Sequence, residues 1–467
     1  QEGHEHSLDV RARAAMRLTS APLLLLPLER LACIPWRVSH APRAQLVDSE
    51  VQAYWALLER AAPPTVAPTP ALTLYRDTNG WCPFCERVWL QLHAKGIPFD
   101  EELINLRDKP EWYKEMVPTT LVPAIKLGSE VIWESDTIMR TLEERFPEKP
   151  LLPSGDTDER EIIEERLAGC ADMLAAGARF AYGSRDSLSA DEVAGRRAEF
   201  EGMLDTLEAN ISSTGGPFLA GADFSLLDAF YAPFLERWAV QLPLSLDFHI
   251  RQSLRWPALD GWFDAMDALP AYRQKVKGDA YSWTAAVSAF TRMFAPNGTI
   301  SDESAALIKR ADSAAAAAMR SMPPTEEAEV ARQAALTAAR KLLENREAIL
   351  ADATNTEAKS QTHIERLDPC DVEYVERMLR EATSRLLKRA SVSVEPSDEE
   401  EELPPMLSRT MAPHEAVACA QAARLVSARL CVPRDLDGLA AAELRSVLHE
   451  LACEAEAFAW SGSGGLL

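Results

Sequence analysis

Long hydrophobic runs are missing from this sequence. No stretch approaches the roughly 18 apolar residues of a membrane-spanning helix, and the nearest, Leu23 to Leu26, is cut off by Pro22 and Pro27. Cysteine is scarce too: eight in 467 residues are too few for a disulfide scaffold. Positive charge is short, with 49 Lys and Arg against 72 Asp and Glu, a net charge of −23. That balance repels phosphates, and no basic face or interleaved aromatic pattern offsets it, so nucleic acid is excluded as a partner. Internal repeats and a nucleotide-binding glycine loop are absent as well. What remains, 47% hydrophobic and 26% charged residues, is ordinary for a soluble globular chain.

Six of the cysteines, Cys33, Cys170, Cys370, Cys419, Cys431 and Cys453, stand alone, mostly amid apolar neighbours. They read as buried small hydrophobes in a reducing, intracellular compartment. From Val10 to Ala44 there are six arginines and one acid, Glu29. An acid-poor, arginine-bearing leader around a short apolar patch resembles a plastid or mitochondrial targeting segment. An ill-ordered tail or an upstream reading-frame remnant fits equally, which leaves cytoplasmic and organellar locations both open.

The length points to two to four domains. A short helix is expected at 45–61, followed by the proline-rich linker "AAPPTVAPTP". Residues 1–70 thus read as an N-terminal extension. From 71 to 153 the pattern alternates: strand "ALTLYR" (71–76), helix from Pro83 to about Lys95 stopped by Gly96, strand 98–106 and a short helix from Pro110 to Met116. Two brief strands then flank the turn at Gly128, and a helix follows from Ser135. This β-α-β-α-β-β-α order, with a CxxC at the first strand–helix junction, is that of a thioredoxin-like fold. Residues 156–296 read as all-helical, with Ser225 and Asp228 spaced as a capping box. Residues 300–467 are alanine-rich and helical, interrupted by the acidic "VEPSDEEEELPP", and carry no motif that can be tied to chemistry.

The chemistry-bearing stretch is "NGWCPFCERVWLQLHAKGIPF", residues 79–99. Cys82 and Cys85 have three readings. A structural zinc site needs four ligands, and no second CxxC or paired histidines accompany this one. Simple packing is the second reading. The third is an activated thiol, and the placement favours it. Cys82 sits where a helix begins, and there free N–H groups and the helix dipole stabilise an anion. A thiolate so placed typically has its pKa lowered from about 8.5 to roughly 3.5–7.5. Pro83 fits the first helical turn. Cys85, one turn further in, is the candidate resolving partner.

The stretch "CPFCERVWLQLHAKGIPFDEELINLRDKPEWY", with "LVPAI" and "WESDTI" after it, resembles the N-terminal half of an omega-class glutathione transferase. Lambda-class relatives are close behind. The helical 156–296 segment resembles the second domain of that superfamily, so the likeness spans about 71–296. It implies an α/β plus all-α architecture: a thioredoxin-like domain, an all-helical transferase domain and an additional helical extension. It implies that Cys82 forms a mixed disulfide with glutathione and that Lys109 meets its glycyl carboxylate. Val122, before a cis Pro123, would pair with its cysteinyl backbone, and Glu134 and Ser135 would bind its γ-glutamyl end. Phe84 would lie by the thiol and Trp283 on a wall of the second-substrate site.

One departure stands out. The omega pattern commonly has a small residue where this chain has Cys85, and "CPFC" is a glutaredoxin-like dithiol. The expected activity is therefore a glutathione-dependent thiol transferase or dehydroascorbate reductase, with a dithiol disulfide reductase as the runner-up. Glutathione is the co-substrate, no metal is called for, and small oxidised or S-glutathionylated compounds are the substrates. A homodimer is a possible assembly. The reading from another class is a non-catalytic scaffold whose 300–467 region docks onto an unknown protein.

Overall fold

The computed structural model describes residues 49–61, 69–106, 108–182, 188–293, 299–320, 328–355, 364–392 and 411–462. The arginine-bearing leader, most of the proline-rich linker and the acidic loop lie outside them.

The chain opens with helix α1 (Ser49–Ala61) and strand β1 (Leu72–Asp77). Helix α2 (Pro83–Lys95) follows, started by Pro83 and ended by Gly96, whose φ of +69° only glycine adopts easily. Next come β2 (Phe99–Ile104), α3 (Glu111–Met116), β3 (Ala124–Leu127), β4 (Glu130–Trp133) and α4 (Ser135–Arg145). The sheet order is β2-β1-β3-β4. Strands β1 and β2 run parallel, while β3 is antiparallel to β1 and β4 to β3. This is the expected thioredoxin-like arrangement.

Helices α5 (Asp158–Ala168), α6 (Cys170–Tyr182), α7 (Ala190–Thr214), α8 (Leu226–Leu246) and α9 (Pro257–Ala268) form the helical domain. One hydrophobic core runs from the sheet helices through α5–α9, so the two parts are a single packed body. The Ser225 capping box is present and does more than cap. Buried Asp228 also accepts from the Leu219 N–H and from Trp262 Nε1, both at 2.8 Å.

The remainder is α10 (Ala280–Met293), α11 (Asp302–Arg320), α12 (Ala328–Glu344), α13 (Arg346–Ala353), α14 (Val372–Arg389), α15 (Pro413–Arg429) and α16 (Gly438–Gly462). Helices α12 and α13 are divided at Asn345, whose side chain donates to the Lys341 carbonyl at 2.8 Å. A second core, rich in alanine and leucine, unites α12–α16. Helix α1 belongs to it. Val51, Tyr54 and Leu58 enter that core, so residues 49–61 pack with the far end of the chain and not with the sheet that follows them.

The two bodies meet along α10. Tyr281 Oη donates to the Ala428 carbonyl at 2.6 Å, and the Val432 N–H donates to Ser282 Oγ at 2.8 Å. Fully buried Arg445 pairs with Asp279 and donates to the Leu430 carbonyl at 2.6 Å. The 300–467 region is thus seated on its own transferase-like body.

Candidate active site

Strand register gathers the expected site residues at one edge of the sheet. Asp77 at the end of β1 pairs with Ile104 at the end of parallel β2, which puts the turn carrying Lys109 beyond that edge. Tyr75 pairs with Ala124 at the start of antiparallel β3, bringing Val122 and Pro123 to the same edge. Ala124 pairs in turn with Trp133 at the end of β4, so Glu134 and Ser135 arrive there too.

The loop from Asp77 to Cys82 is held by its own first residue. Asp77 Oδ2 accepts the Trp81 N–H at 2.8 Å, and Gly80 makes the turn with φ +67°. Cys82 is then the N-cap of α2, its carbonyl accepting from the Glu86 N–H at 3.1 Å. Its thiol lies 4.0 Å from the Val122 carbonyl. The Val122–Pro123 bond is cis, as the resemblance implied.

Cys85 is 1% exposed. Burial pushes its thiol well up, and a hydrogen bond to Cys82 and the charges of Cys82 and Asp77 push the same way. Cys85 therefore holds its proton beside the Cys82 sulfur. An oxygen of Asp77 and the two sulfurs all lie within 4.8 Å of one another. Three donors without a histidine fall short of a closed zinc site.

Arg87, one turn beyond Cys82's end of α2, is a residue that the motif reading passed over. It donates to the Phe230 carbonyl at 3.0 Å and to Ser135 Oγ at 3.5 Å, tying the thiol helix to α4 and α8 at once. Its guanidinium lies over the rings of Phe230, Phe234 and Phe84, at 4.3, 5.0 and 5.2 Å. Phe84 is half open to solvent and meets Phe234 edge-on, so it forms an apolar wall beside Cys82. Ser135 is buried as the first residue of α4, whose N–H groups suit a carboxylate. Exposed Glu134 holds a φ of +67°, an unusual conformation for a non-glycine residue at a site edge. Half-buried Lys109 has its pKa lowered by burial and by the charge of Lys114. Lys114 itself pairs with Glu111 at 2.7 Å.

Trp283 is not at this edge. It is 1% exposed inside the junction along α10, its Nε1 donating to Glu236 and the Arg237 guanidinium 4.2 Å above its ring. The expectation of a second-substrate wall there is corrected: a buried carboxylate on α8 claims the indole, which faces no open site. What approaches the thiol loop instead is the helical extension. Trp81 Nε1 donates to Cys431 Sγ at 3.4 Å, and the Trp81 ring meets Phe290 at 5.1 Å. Pro433 packs beside Gly80. Of the isolated cysteines, Cys170 and Cys419 are buried as expected, Cys431 is half-buried, and Cys370 and Cys453 are exposed.

Residues 81–145 match the family model of the glutathione S-transferase N-terminal domain, and residues 190–265 that of the glutathione S-transferase C-terminal domain. Pyrimidodiazepine synthase of Drosophila melanogaster is 32% identical over 213 residues, 44% of this chain and 82% of that protein. Glutathione S-transferase DHAR2 of Arabidopsis thaliana is 32% identical over 179 residues, 38% of this chain and 76% of that protein. Glutathione S-transferase L2, chloroplastic, of the same plant is 30% identical over 197 residues, 41% of this chain, and the matched stretch spans 62% of that relative's length.

Proposed function

Because the chain belongs to the glutathione S-transferase family, we propose that it is a glutathione-dependent thiol transferase or dehydroascorbate reductase of omega type, with Cys82 as the nucleophile. The observation that carries this reading is the placement of Cys82 as the N-cap of α2, with the Cys85 sulfur within 4.8 Å and the Val122 carbonyl 4.0 Å away. Cys82 thiolate attacks the sulfur of an S-glutathionylated substrate, releasing the substrate thiolate and leaving glutathione linked to Cys82. A second glutathione thiolate attacks that mixed disulfide, so Cys82 thiolate and glutathione disulfide leave. With dehydroascorbate, Cys82 and one glutathione supply the two electrons and become the mixed disulfide, and ascorbate departs. A sulfur nucleophile that bonds covalently to glutathione reduces better than it conjugates, since it does not serve to activate bound glutathione as a free thiolate.

Glutathione is held in this reading by Lys109 at the glycyl carboxylate, by the main chain of Val122, and by Glu134, Ser135 and the α4 N-terminus at the γ-glutamyl end. No metal takes part. The closeness of the Cys85 and Cys82 sulfurs, within 4.8 Å, favours one elaboration: Cys85 resolves the mixed disulfide internally, as in a dithiol reductase. The protein works inside the cell, in the cytoplasm or an organelle. No helix among the described residues is long and apolar enough to cross a membrane.

The purified protein with glutathione should turn over dehydroascorbate and a mixed-disulfide substrate, and should act slowly on a halogenated aromatic. No turnover of any of the three, together with no glutathione binding, would replace this reading with that of a scaffold built on a transferase body.

A further inference from the structure

Asp77 is 2% exposed, and its Oδ1 has no hydrogen-bond partner while Oδ2 holds the Trp81 N–H. A buried carboxylate with an unsatisfied oxygen is costly, and such groups persist where they have a task. The sulfurs of Cys82 and Cys85 are within reach of it, all three atoms lying within 4.8 Å. We propose that Asp77 is the internal proton acceptor for Cys85 when the dithiol closes.

This rests on the reading of Cys85 as a resolving thiol. In the mixed disulfide, Cys82 is bonded to glutathione and Cys85 is still a thiol. The Cys85 proton passes to the Asp77 carboxylate, directly or through one water, which the 4.8 Å span accommodates. The Cys85 thiolate then attacks Cys82 Sγ, the Cys82–glutathione bond breaks, and glutathione leaves as a thiolate. That thiolate takes up a proton, and Asp77 loses its own to solvent as the site reopens. One disulfide is exchanged for another, and no external oxidant is needed.

The surroundings leave this task to Asp77. From β1, Arg76 pairs with Glu101 and gives Nη1 to the main-chain carbonyl of Asp77. On α2, Arg87 is turned to Ser135 and Phe230, and Glu86 to Arg237. From α3, Tyr113 faces both thiols, but its hydroxyl donates to the Leu121 carbonyl at 2.6 Å and its pKa is raised, so it is no base. A thiol as deeply buried as Cys85 gives up its proton to bulk water slowly near neutral pH.

The test separates two roles that have opposite signs. As a fixed negative charge alone, Asp77 hinders ionisation of Cys85, so removing it would speed closure. As proton acceptor, its loss slows closure. Full-length protein is glutathionylated on Cys82, and formation of the Cys82–Cys85 disulfide is followed by rapid quench and mass spectrometry across pH. Asp77→Asn keeps an oxygen for the Trp81 N–H, and Asp77→Ser is the second variant. We expect closure in both to slow tenfold or more near neutral pH and to recover toward alkaline pH, where hydroxide takes the proton. Alkylation of Cys82 by iodoacetamide should stay within twofold of wild type. Closure at the wild-type rate or faster overturns the proposal. Closure slowed only in proportion to lost Cys82 alkylation also overturns it, and makes Asp77 a loop-holding residue. Wild type that never forms the internal disulfide overturns the resolving role of Cys85 beneath it.

Discussion

Two buried aspartates, one in each body, set the two halves of this molecule against each other. Asp77 lies beside the thiols with one oxygen unpaired. Asp352, at the end of α13, is held by two arginines: Arg429 bonds it from Nε at 2.7 Å and from Nη2 at 3.0 Å, and Arg366 Nη2 adds a bond at 3.1 Å. The first carboxylate is left underserved next to reactive atoms. The second is paired on all sides, as a buried charge must be when its role is to fix a fold. Asp77 thus leaves an unsatisfied oxygen beside the thiols, while Asp352 helps to fix how the helices of the second body dock. Chemistry should respond to changes in the first body and stability to changes in the second.

The comparison breaks most plainly at Cys82. Cys82→Ser should abolish glutathione-dependent reduction, because a hydroxyl cannot form the mixed disulfide, and thermal stability should be nearly unchanged. Replacing the exposed thiol of α16, Cys453→Ser, should leave both intact. Retained disulfide reduction by the Cys82 variant in a steady-state assay would move the nucleophile elsewhere.

Removing residues 299–467 is the harshest test of the helical body's independence. Helix α10 is buried on the side facing the extension as well as the side facing α8, with Tyr281, Ser282, Trp283, Val287 and Ser288 all nearly inaccessible. Sequence alone suggests that 71–296 is a complete two-domain unit and would survive the cut. The structure argues otherwise, since the cut bares Tyr281 and leaves Asp279 without Arg445. The fragment should aggregate on size-exclusion chromatography. A soluble, monodisperse fragment with reactive Cys82 would show that the extension is an appended module.

A single substitution asks the same question more gently. Asp352→Ala leaves the buried guanidiniums of Arg366 and Arg429 without their common partner, a loss of about 3–5 kcal/mol. Denaturant melting should show it, while the specific activity of the folded fraction holds. A matching fall in specific activity would mean that the helical body shapes the site.

Much of the transferase body was legible because its signals are local. A proline after Cys82, a glycine after Lys95 and alternating strands give element boundaries that the structure reproduces nearly residue for residue. The placement of the candidate site residues at one sheet edge was legible for the same reason: Cys82, Val122, Pro123 and Ser135 sit in short motifs at element ends. Asp77 and Arg87 were passed over because their meaning lies in what they face across the fold, the thiols in one case and α4 and α8 in the other. Trp283 misled because an aromatic residue on a helix looks the same whether it lines a cleft or meets a buried Glu236. The pairing of α1 with α12 and α14 joins segments more than 250 residues apart, with no local pattern to announce it.

Within the site, effects should grade with the charge removed. Lys109→Ala and Ser135→Ala should each raise the KM for glutathione about tenfold or more, since a charge-assisted hydrogen bond contributes roughly 1.5–3 kcal/mol. Alkylation of Cys82 should be unchanged in both. Because burial and Lys114 lower the Lys109 pKa, its charge is lost at lower pH than that of an ordinary lysine. Glutathione kcat/KM should then decline earlier on the alkaline side, and Lys109→Arg should remove that decline. Unchanged KM in both alanine variants would remove the glutathione site as drawn.

The smallest effect is expected where the two bodies touch nearest the thiol. Trp81 lies next to Cys82 in sequence, yet its indole N–H is given to Cys431 of the extension and its ring to Phe290. Trp81→Phe keeps an aromatic ring against Phe290 and removes one weak N–H···S bond. The stability loss should be about 1 kcal/mol or less, within the range of a single neutral hydrogen bond. The Cys82 alkylation rate should not move, because Asp77 fixes the loop through the Trp81 main-chain N–H, which the substitution leaves in place. Two independent restraints thus act on one residue, the side chain answering to the helical body and the main chain to the sheet. A several-fold change in Cys82 reactivity would show that they are coupled, and that docking of the extension is felt at the nucleophile.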